Sequence, residues 1–504
     1  MAHEIRIPIA VPLFIAGEEG KSAAGRRFQR ENPTTPEQVV SISEAASPEE
    51  VAAAVAAARE AFDRDVQGWV SNYKLREQVL YRTAALLREH APALETLLGL
   101  EVGMPRRQAR PHVLAAAEVF EFYAGYASKL YGHALVLPNG SLITLLKEPV
   151  GVVGAITPWN FPLTQAARKL APALAVGCTL VVKPASYTPA VTYHLLRLLH
   201  QAGAPPGVVN FVPGPGPVVG KALVEDPRVD KISFTGETET GREILAGAAR
   251  TLKRVSLELG GKNPFLLFAD APLEAAARSL VFGAFRNSGQ ACGATSRLLV
   301  AEAVHDAFLE VMLPLVRALR LGPPLDEATD LGPLISRAQQ EKVLAYIALG
   351  TEGGFRLLAG GRAPQEAPLR QGYFVEPTVF DGVDHASRLA QEEIFGPVLT
   401  IHPFREEEEA VALANGVTYG LTASVWTADM ARAQRVARRL KAGTVWINDA
   451  YTQPPEGIWG GYKQSGIGRE LGPYGIEDFV EVKQVYTDGT GLVQKPHYRQ
   501  LLAE

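Results

Sequence analysis

The sequence contains very little cysteine: Cys178 and Cys292 are the only two among 504 residues. Two thiols cannot build a disulfide framework, and so low a count suits a reducing compartment. The sequence also lacks an excess of either charge, because 50 lysine and arginine residues face 54 aspartate and glutamate residues, for a formal net charge of -4. This balance argues against nucleic acid and against a strongly basic partner.

Long hydrophobic runs, internal repeats and low-complexity linkers are also missing from the sequence. The apolar stretch within residues 1–14 is short and interrupted by Pro8 and Pro12, which makes it a poor signal peptide and too short to span a membrane. We therefore expect a cytoplasmic protein. A chain of 504 residues is too long for one hydrophobic core and predicts two or three domains.

Helical patterns come first, followed by alternating strands and helices. A Ser-Pro-Glu-Glu capping signal opens a helix over 47–63, and 74–99 and 111–128 carry apolar residues at helical spacing. From residue 150, short apolar runs predict strands buried on both faces, with helical stretches at 188–203 and 217–226 between them. These strands are 150–156, 179–184, 208–214, 230–236 and 254–259. The alternation favours a doubly wound parallel sheet, and hence an α/β fold.

A second alternating block predicts a second α/β domain, with helices at 272–287 and 428–441. Its strands are 263–268, 296–301, 377–380, 397–404, 421–427 and 443–449. The acidic run Glu406–Glu409 is interpreted as the solvated start of a helix. The segments around 129–148 and 477–495 fit neither block; both alternate apolar with polar residues, and we interpret them as strands used between subunits.

Cys292 and Glu258 have residue types suited to nucleophilic catalysis. Cys292 lies in NSGQACGATSR, a poor setting for core packing, although a lone cysteine is commonly a small buried side chain. Its thiolate would be a strong nucleophile, with a pKa lowered by nearby backbone N–H groups. Glu258 ends an apolar strand before a Gly-Gly turn. It is either an exposed carboxylate or a partly buried acid with a raised pKa that takes a proton from water.

Asn160 and two glycine-bearing turns are further candidates. Asn160, in TPWNFP, either forms a turn or donates its amide to a developing oxyanion beside the backbone N–H of Cys292. The turns at Gly214-x-Gly216 and from Gly236 to Gly241 do not match the dinucleotide fingerprint. A strand followed by a glycine turn and a helix N-terminus nevertheless suits a pyrophosphate.

Taken together, the motifs resemble the aldehyde dehydrogenase superfamily. TPWNFP, LVVKPAS, FTGETETG, LELGGKNP, GQACGATSR, EEIFGPV and WGGYKQSGIGRELG occur in the family's order and approximate spacing over nearly the whole chain. The resemblance implies a nucleotide-binding domain (1–128 and 150–258), a catalytic domain (259–465) and a small oligomerisation arm (129–149 and 477–495). It also implies a homodimer or homotetramer.

The resemblance further implies a mechanism. Cys292 attacks the aldehyde to give a thiohemiacetal, whose oxyanion is held by Asn160 and the Cys292 backbone N–H. Hydride transfer to NAD or NADP leaves a thioester, and Glu258 activates the water that hydrolyses it, so no metal is needed. The cofactor would be bound by Lys183, Ser186, Trp159, Gly216, Gly236, Glu393 and Phe395.

The sequence departs from the common family pattern at two cofactor positions. Ser186 stands where many NAD-preferring relatives have a glutamate, and losing that carboxylate removes repulsion toward a 2′-phosphate. We therefore hypothesise that NADP is accepted or preferred. Glu237 follows Gly236 where many relatives have serine. We expect its carboxylate to turn away from the pyrophosphate and cap the next helix.

One arginine and three aromatic residues are candidates for substrate binding. Arg168 matches a position at which succinate-semialdehyde dehydrogenases have an arginine that binds the substrate carboxylate, which favours an acid semialdehyde; a purely structural arginine is the alternative. Phe161, Trp459 and Tyr451 are candidate tunnel aromatics or, equally, packing residues.

The sequence disfavours three other functions. A CoA-acylating aldehyde dehydrogenase does not need a water-activating glutamate, so the presence of Glu258 favours hydrolysis. A structural or binding use of the fold would place no constraint on Cys292, Glu258 and Asn160, and all three are intact. A zinc enzyme is disfavoured because the two cysteines and ten histidines show no clustered ligand spacing.

Overall fold

The computed structural model of the protein describes residues 5–492 and 495–502. Its strands are β1 (Ile9–Val11), β2 (Leu13–Ile15), β3 (Glu18–Gly20), β4 (Arg27–Asn32), β5 (Thr35–Glu44), β6 (His133–Val136), β7 (Leu142–Pro149), β8 (Val152–Ile156), β9 (Thr179–Lys183), β10 (Val209–Phe211), β11 (Lys231–Thr235), β12 (Arg254–Glu258), β13 (Pro264–Leu267), β14 (Arg297–Ala301), β15 (Arg356–Ala359), β16 (Thr378–Asp381), β17 (Val398–Phe404), β18 (Tyr419–Gly420), β19 (Thr422–Trp426), β20 (Thr444–Ile447), β21 (Tyr462–Lys463), β22 (Gly466–Ile467) and β23 (Val480–Thr487).

The helices alternate with these strands over most of the chain. They are α1 (Pro48–Asp63), α2 (Tyr73–Glu89), α3 (Ala91–Glu101), α4 (Arg106–Ala124), α5 (Pro162–Val176), α6 (Pro189–Gln201), α7 (Lys221–Glu225), α8 (Thr238–Ala248), α9 (Leu273–Phe285), α10 (His305–Arg317), α11 (Arg337–Glu352), α12 (Arg388–Gln391), α13 (Glu407–Asn415), α14 (Met430–Arg439) and α15 (Gly472–Glu477). Within the described residues, no helix has the length and apolar character needed to cross a membrane.

The first large sheet has eight strands in the order β22-β12-β11-β8-β9-β10-β2-β3. Its five central strands, β12 to β10 in that order, run parallel. Every residue of β8, β9 and β11 is buried, as apolar strands between two helical layers must be. Val153 on β8 packs with α5 and α6, whereas its neighbour Val152 packs with α1, α7 and α8 on the opposite face. The predicted doubly wound α/β arrangement is confirmed.

The second large sheet has seven strands in the order β15-β16-β17-β14-β13-β19-β20. Six of them are parallel, and β15 pairs antiparallel with β16 at one edge. Leu267 on β13 packs with α9 and α10, while Leu266 packs with α13 and α14 on the other face. Helix α13 starts at Glu407, as the acidic run predicts, and the carboxylates of Glu407 and Glu408 pair with Arg435 and Arg439 of α14.

The two segments that fit neither alternating block pair with each other. They form a three-stranded antiparallel sheet in the order β23-β7-β6, joined along the full length of β7 and β23. Seven of the eight residues of β23 are exposed, so its side chains are largely uncovered on both faces, and β23 is also an edge strand. Residues 493–494 of the predicted arm, and residues 1–4 of the predicted nucleotide-binding domain, lie outside the described residues. The division into three domains remains a prediction.

The N-terminal helices agree with the sequence at one point and correct it at another. Ser47 and Glu50 form a capping box at the start of α1: the Ser47 hydroxyl accepts from the Glu50 amide, and the Glu50 carboxylate accepts from the Ser47 amide at 2.7 Å. The pattern over 74–99, in contrast, is two helices that meet at His90. Pro92 has no N–H to donate to the carbonyl of Arg88, and its ring crowds that carbonyl, which favours a break at this point. The pattern over 111–128 belongs to α4, which begins earlier, at Arg106, and ends at Ala124.

Candidate functional site

A cleft of about 1210 Å³ lies at the carboxyl ends of the parallel strands of the first sheet. One wall follows β8, β9 and β11; the other comes from segments that belong to the second sheet and its connections. Open α/β sheets bind ligands at this end, where the strands give way to loops and helix N-termini. The cleft brings together eight of the predicted site residues: Trp159, Asn160, Lys183, Gly216, Gly236, Cys292, Glu393 and Phe395.

Cys292 lies in the loop between α9 and β14, with its side chain partly exposed and part of the cleft lining. Asn263 donates its amide to the Cys292 carbonyl at 2.8 Å and holds this loop against β13. Burial, reinforced by the carboxylate of Glu393, raises the pKa of the Cys292 thiol to about 12. The expectation of a lowered pKa is therefore wrong here: the backbone N–H of Gly293 favours the thiolate, but desolvation outweighs it.

Asn160 is buried in the loop between β8 and α5. Its side-chain nitrogen donates to the carbonyl of Gln290 at 3.0 Å, two residues before Cys292. An amide nitrogen carries two hydrogens, so one remains for another acceptor. The loops that supply the two predicted oxyanion donors are thus in direct contact, although Asn160 and Cys292 lie 132 positions apart in the sequence.

Glu258 ends β12 and is only 3% exposed. Burial, followed by the nearby carboxylate of Glu470, raises the pKa of Glu258 well above the usual range of a glutamate. The interpretation as an exposed carboxylate at a strand end is therefore excluded. Beside it, the ammonium of Lys169 donates to the hydroxyl of Thr235 at 2.6 Å and to the carboxylate of Glu470. The raised pKa makes the Glu258 carboxylate a stronger base than that of an ordinary glutamate.

Lys169 and Glu470 were not found by sequence reasoning. Every residue of α5 is buried, including the adjacent cations Arg168 and Lys169. Two neighbouring cations in an otherwise uncharged helix are a signal available in the sequence, since a buried charge needs a partner. Glu470 had no such signal, because RELG reads as an ordinary polar turn before it is known to meet α5.

Arg168 is 7% exposed, and its guanidinium lies 5.4 Å from the Trp459 ring. It donates to the side-chain oxygen of Gln453, while its Nε has no hydrogen-bond partner within the described part of the chain. The ring of Trp459 also stands beside the Cys292 loop: a Cβ added at Gly293 would lie 2.8 Å from it. Arg168 therefore presents an incompletely paired cation on the same side of the loop as the predicted tunnel aromatics.

Arg286 is a second cation in this region, and sequence reasoning missed it. Its guanidinium lies 4.8 Å from the Tyr451 ring, 5.0 Å from Phe161 and 5.7 Å from Phe282. Among the described residues no hydrogen-bond acceptor or carboxylate is paired with it. Three aromatic rings therefore hold a cation that lacks an anionic partner. Its position six residues before Cys292 was the signal in the sequence.

The cofactor candidates occupy the opposite part of the cleft. The rings of Trp159 and Phe395 meet edge to face at 5.3 Å. The Glu393 carboxylate accepts from the Gly261 amide at 2.8 Å, and burial raises its pKa to about 7. The ammonium of Lys183 is buried at the end of β9, which lowers its pKa to about 8. Both groups are consequently easier to neutralise than in water.

Ser186 and Glu237 differ from what the sequence suggested. Ser186 is not among the residues that line the described cleft; its hydroxyl donates to the carbonyl of Gly214 at 3.4 Å. Glu237 occupies the N-cap position of α8, but its side chain makes no capping hydrogen bond and instead lines the cleft. The expected cap is therefore wrong. An exposed glutamate gains full hydration in the cleft, which competes with a bond to the backbone.

Comparison with known proteins supplies an independent finding. Residues 20–485 match the model of the aldehyde dehydrogenase family. The chain is 43% identical over 475 residues to a betaine aldehyde dehydrogenase of Bacillus subtilis (strain 168), covering 94% of this chain and 96% of that protein. It is 40% identical over 489 residues to the peroxisomal aminoaldehyde dehydrogenase 2 of Pisum sativum, covering 95% and 96%.

The fold has a close counterpart among solved structures. A crystal structure of betaine aldehyde dehydrogenase from Staphylococcus aureus in complex with NAD+ matches with a TM-score of 0.94 and 37% sequence identity. The match covers 99% of this chain and 98% of that one. Both sheets and the cleft between them therefore belong to a known architecture.

Proposed function

The chain belongs to the aldehyde dehydrogenase family, and we propose that it oxidises an aldehyde carrying an anionic group to its carboxylic acid, with NAD or NADP as hydride acceptor. It is an NAD(P)-dependent aldehyde dehydrogenase. We propose which residues carry out the reaction and which class of aldehyde is oxidised. The substrate class is carried by one observation: Arg168 and Arg286 lie beside the aromatic side chains next to Cys292, and no carboxylate in the described part of the chain pairs with either of them.

Cys292 and Asn160 carry the first half of the reaction. The Cys292 thiol, which lines the cleft, releases its proton to solvent water, its sulfur bonds to the aldehyde carbon, and the carbonyl oxygen becomes an oxyanion. The second amide hydrogen of Asn160 and the backbone N–H of Cys292 then donate to that oxyanion, where charge develops in the transition state. The bound NAD or NADP supplies the oxidant that accepts a hydride from the same carbon. A thioester on Cys292 remains.

Glu258 carries the second half. Its carboxylate takes a proton from a water molecule, whose oxygen attacks the thioester carbon; the C–S bond breaks and the thiol is restored. The raised pKa makes this carboxylate a stronger base than an ordinary glutamate. Lys169, which donates to Glu470, lies close enough to bias the charge of Glu258.

The described cleft suits a dinucleotide. Around Gly216 no heavy atom lies within 4 Å of the position of an added Cβ, so a phosphate can approach the main chain there at a helical N-terminus. Lys183 and Lys221 line the cleft nearby, at the end of β9 and the start of α7. Trp159, Gly236, Glu393 and Phe395 would hold the remainder of the cofactor. Because residue 186 is serine, no carboxylate at this position would repel the 2′-phosphate of NADP.

Charge supports an anionic substrate over the cationic one named for some relatives. Betaine aldehyde carries a permanently charged trimethylammonium group, which Arg168 and Arg286 would repel. A carboxylate on the substrate would instead pair with both guanidinium groups, of which Arg168 is buried and Arg286 partly exposed. Phe161, Tyr451 and Trp459 would then enclose the carbon chain between the aldehyde and the carboxylate.

The oligomeric state and the cellular compartment are proposed as well. We propose a homodimer or homotetramer, because the arm exposes apolar side chains that a monomer would leave in water: Leu135 is 58% exposed, Val136 69% and Val482 61%. β23 also has a free edge that a second copy can cover. We further propose a cytoplasmic protein, in keeping with its two free cysteines.

The first prediction concerns the reaction. The purified enzyme is expected to reduce NAD or NADP with an acid semialdehyde in the absence of CoA, and Cys292→Ala is expected to lose this activity, at least about 1,000-fold. Absorbance of the reduced nicotinamide measures both. Turnover that begins only after CoA is added would instead identify the acylating reaction, and no turnover with CoA either would identify a non-catalytic use of the fold.

The second prediction concerns the substrate. Arg168→Met and Arg286→Met should each lower kcat/KM for a four-carbon acid semialdehyde by about 10- to 100-fold, because a charge-assisted hydrogen bond is lost. Both variants should stay within about threefold of the parent enzyme for butanal, which has no carboxylate. Arg278→Met, an exposed arginine on α9, is the matched control. Equal losses for both aldehydes would contradict a role in carboxylate binding.

The third prediction concerns the cofactor. The enzyme is expected to bind NADP within about tenfold of its affinity for NAD, and Ser186→Glu is expected to weaken NADP by more than about tenfold with little change for NAD, since a carboxylate repels the 2′-phosphate. Fluorescence titration of both cofactors measures this without turnover. Strict use of NAD by the parent enzyme would overturn the hypothesis about Ser186.

The fourth prediction concerns pH. A base acts while deprotonated, so the hydrolytic step should slow as pH falls through the raised pKa of Glu258, at higher pH than an ordinary glutamate would require. Thioester hydrolysis, followed after the first turnover from about pH 5 to about pH 9, should therefore rise with pH. Glu258→Gln should keep the first burst of reduced cofactor and lose later turnovers, whereas Glu274→Gln, on the exposed face of α9, should behave as the parent does. A flat profile in the parent enzyme would contradict the assignment.

A further inference from the structure

The oxyanion donors proposed above come from two different parts of the fold. Asn160 follows β8 of the first sheet, whereas the backbone N–H of Cys292 precedes β14 of the second sheet. Two hydrogen-bond donors stabilise one oxygen only if their separation and directions are fixed before the reaction. Some group must therefore hold the Asn160 loop and the Cys292 loop at a constant distance.

The carboxamide of Asn287 makes that connection. Its nitrogen donates to the main-chain carbonyl of Asn160 at 3.1 Å and lies 3.4 Å from the carbonyl of Gln290. The same Gln290 carbonyl accepts the side-chain amide of Asn160 at 3.0 Å. Asn287, Asn160 and Gln290 thus form a closed triangle that includes both loops, and all three residues are buried.

The backbone around Asn287 is held in an unfavourable conformation. Asn287 has φ of 52°, Ser288 has 55° and Gly289 has 72°, which puts three successive residues in the left-handed region. Side chains other than glycine adopt this region rarely, asparagine being among the more tolerant. A strained segment next to a reactive group persists only where the surroundings determine it.

Contacts from several elements impose this conformation. The main-chain N–H of Asn287 donates to the side-chain oxygen of Gln108 at 2.9 Å, and the hydroxyl of Ser288 donates to the carbonyl of Gly332 at 2.7 Å. The side chain of Gln290 donates to the Asn287 carbonyl at 3.0 Å and accepts from the Ile335 amide at 2.8 Å. The turn is therefore fixed on both sides of Asn287, so its carboxamide has little freedom to leave Asn160.

We propose that Asn287 is a positioning residue that holds the two oxyanion donors in register. Asn287 acts through Asn160 and not on the substrate. Its carboxamide binds the main-chain carbonyl of Asn160, and both side chains share the Gln290 carbonyl as acceptor. The proposal rests on the oxyanion role given to Asn160 above. Loss of the Asn287 carboxamide would leave the Asn160–Gln290 hydrogen bond as the remaining side of the triangle, so the Asn160 main chain could shift and its donor would be aimed less well at the developing charge.

The test measures acylation of Cys292 by 4-nitrophenyl acetate, which needs neither the correct aldehyde nor a cofactor. A double-mutant cycle compares the parent enzyme with Asn287→Gly, Asn160→Ala and the double variant. Glycine retains the left-handed backbone and removes the carboxamide alone. Asn287→Gly is expected to slow release of 4-nitrophenolate about 10- to 100-fold in the parent enzyme and less than about threefold when Asn160 is already alanine. Asn287→Asp, which turns a carboxylate toward two carbonyl oxygens, should lose at least as much.

Asn210→Ala is the matched control. Asn210 is also buried and donates its amide to two main-chain carbonyls, those of Leu180 and Gly207, but it belongs to β10. This variant should lower the thermal midpoint and leave the acylation rate of the folded enzyme unchanged. Asn287→Gly should also leave the Kd for NAD within about twofold.

The possible results separate the two proposals. Equal losses from Asn287→Gly with and without Asn160, or no loss at all, would overturn the positioning role of Asn287. Failure of the parent enzyme to oxidise any aldehyde would count against the proposed function alone, because the acylation rates are measured without an aldehyde. A coupled loss confined to Asn160-containing enzymes would support Asn287 as the residue that fixes this donor.

Discussion

The contact between the Asn160 amide and the Gln290 carbonyl is the constraint on which the site depends. Two largely parallel sheets, each with its own helical layers, meet at one cleft: the carboxyl ends of β8, β9 and β11 face it from the first sheet, and the segments that precede β14 and β17 face it from the second. Neither sheet alone contains a nucleophile together with a donor for the charge that its attack creates. The site exists because a loop that follows β8 is bonded to the segment that leads into Cys292, so a small relative shift of the two sheets would separate these groups.

Desolvation is the second shared cause. It raises the pKa of Glu258, of Glu393 and of the Cys292 thiol, and it lowers the pKa of Lys183. All four shifts favour the neutral forms, because charge is poorly solvated away from water. A protein surface would leave a glutamate too weak a base at neutral pH. Burial at the end of β12 makes Glu258 a stronger base, while a protonated Cys292 must lose its proton before it can attack.

The substrate side of the site is distinguished by unbalanced charge. The buried ammonium of Lys169, on α5, is paired with the carboxylate of Glu470, because a buried ion needs a partner of opposite charge. Arg168 and Arg286 have no such carboxylate among the described residues and are held mainly by aromatic rings. Relatives named for betaine aldehyde share 37% to 43% of their residues with this chain, so overall similarity leaves room for a different substrate charge. A few side chains at the mouth of a common fold are enough to reverse it.

The sequence by itself determined the α/β class, the alternation of buried strands and helices, the capping box at Ser47 and the candidates Cys292, Glu258 and Asn160. These follow from local periodicity, turn chemistry and short motifs, which are written within a few residues. Pro92 shows how local information can be overlooked, since one missing N–H divides a helix that apolar spacing alone makes continuous. Only the tertiary structure decided that Glu470 meets Glu258, that Arg286 joins Arg168, that Glu237 leaves its helix uncapped and that burial raises the pKa of Cys292. Each of these depends on distance and dielectric between residues far apart in the chain, and no local pattern encodes those quantities.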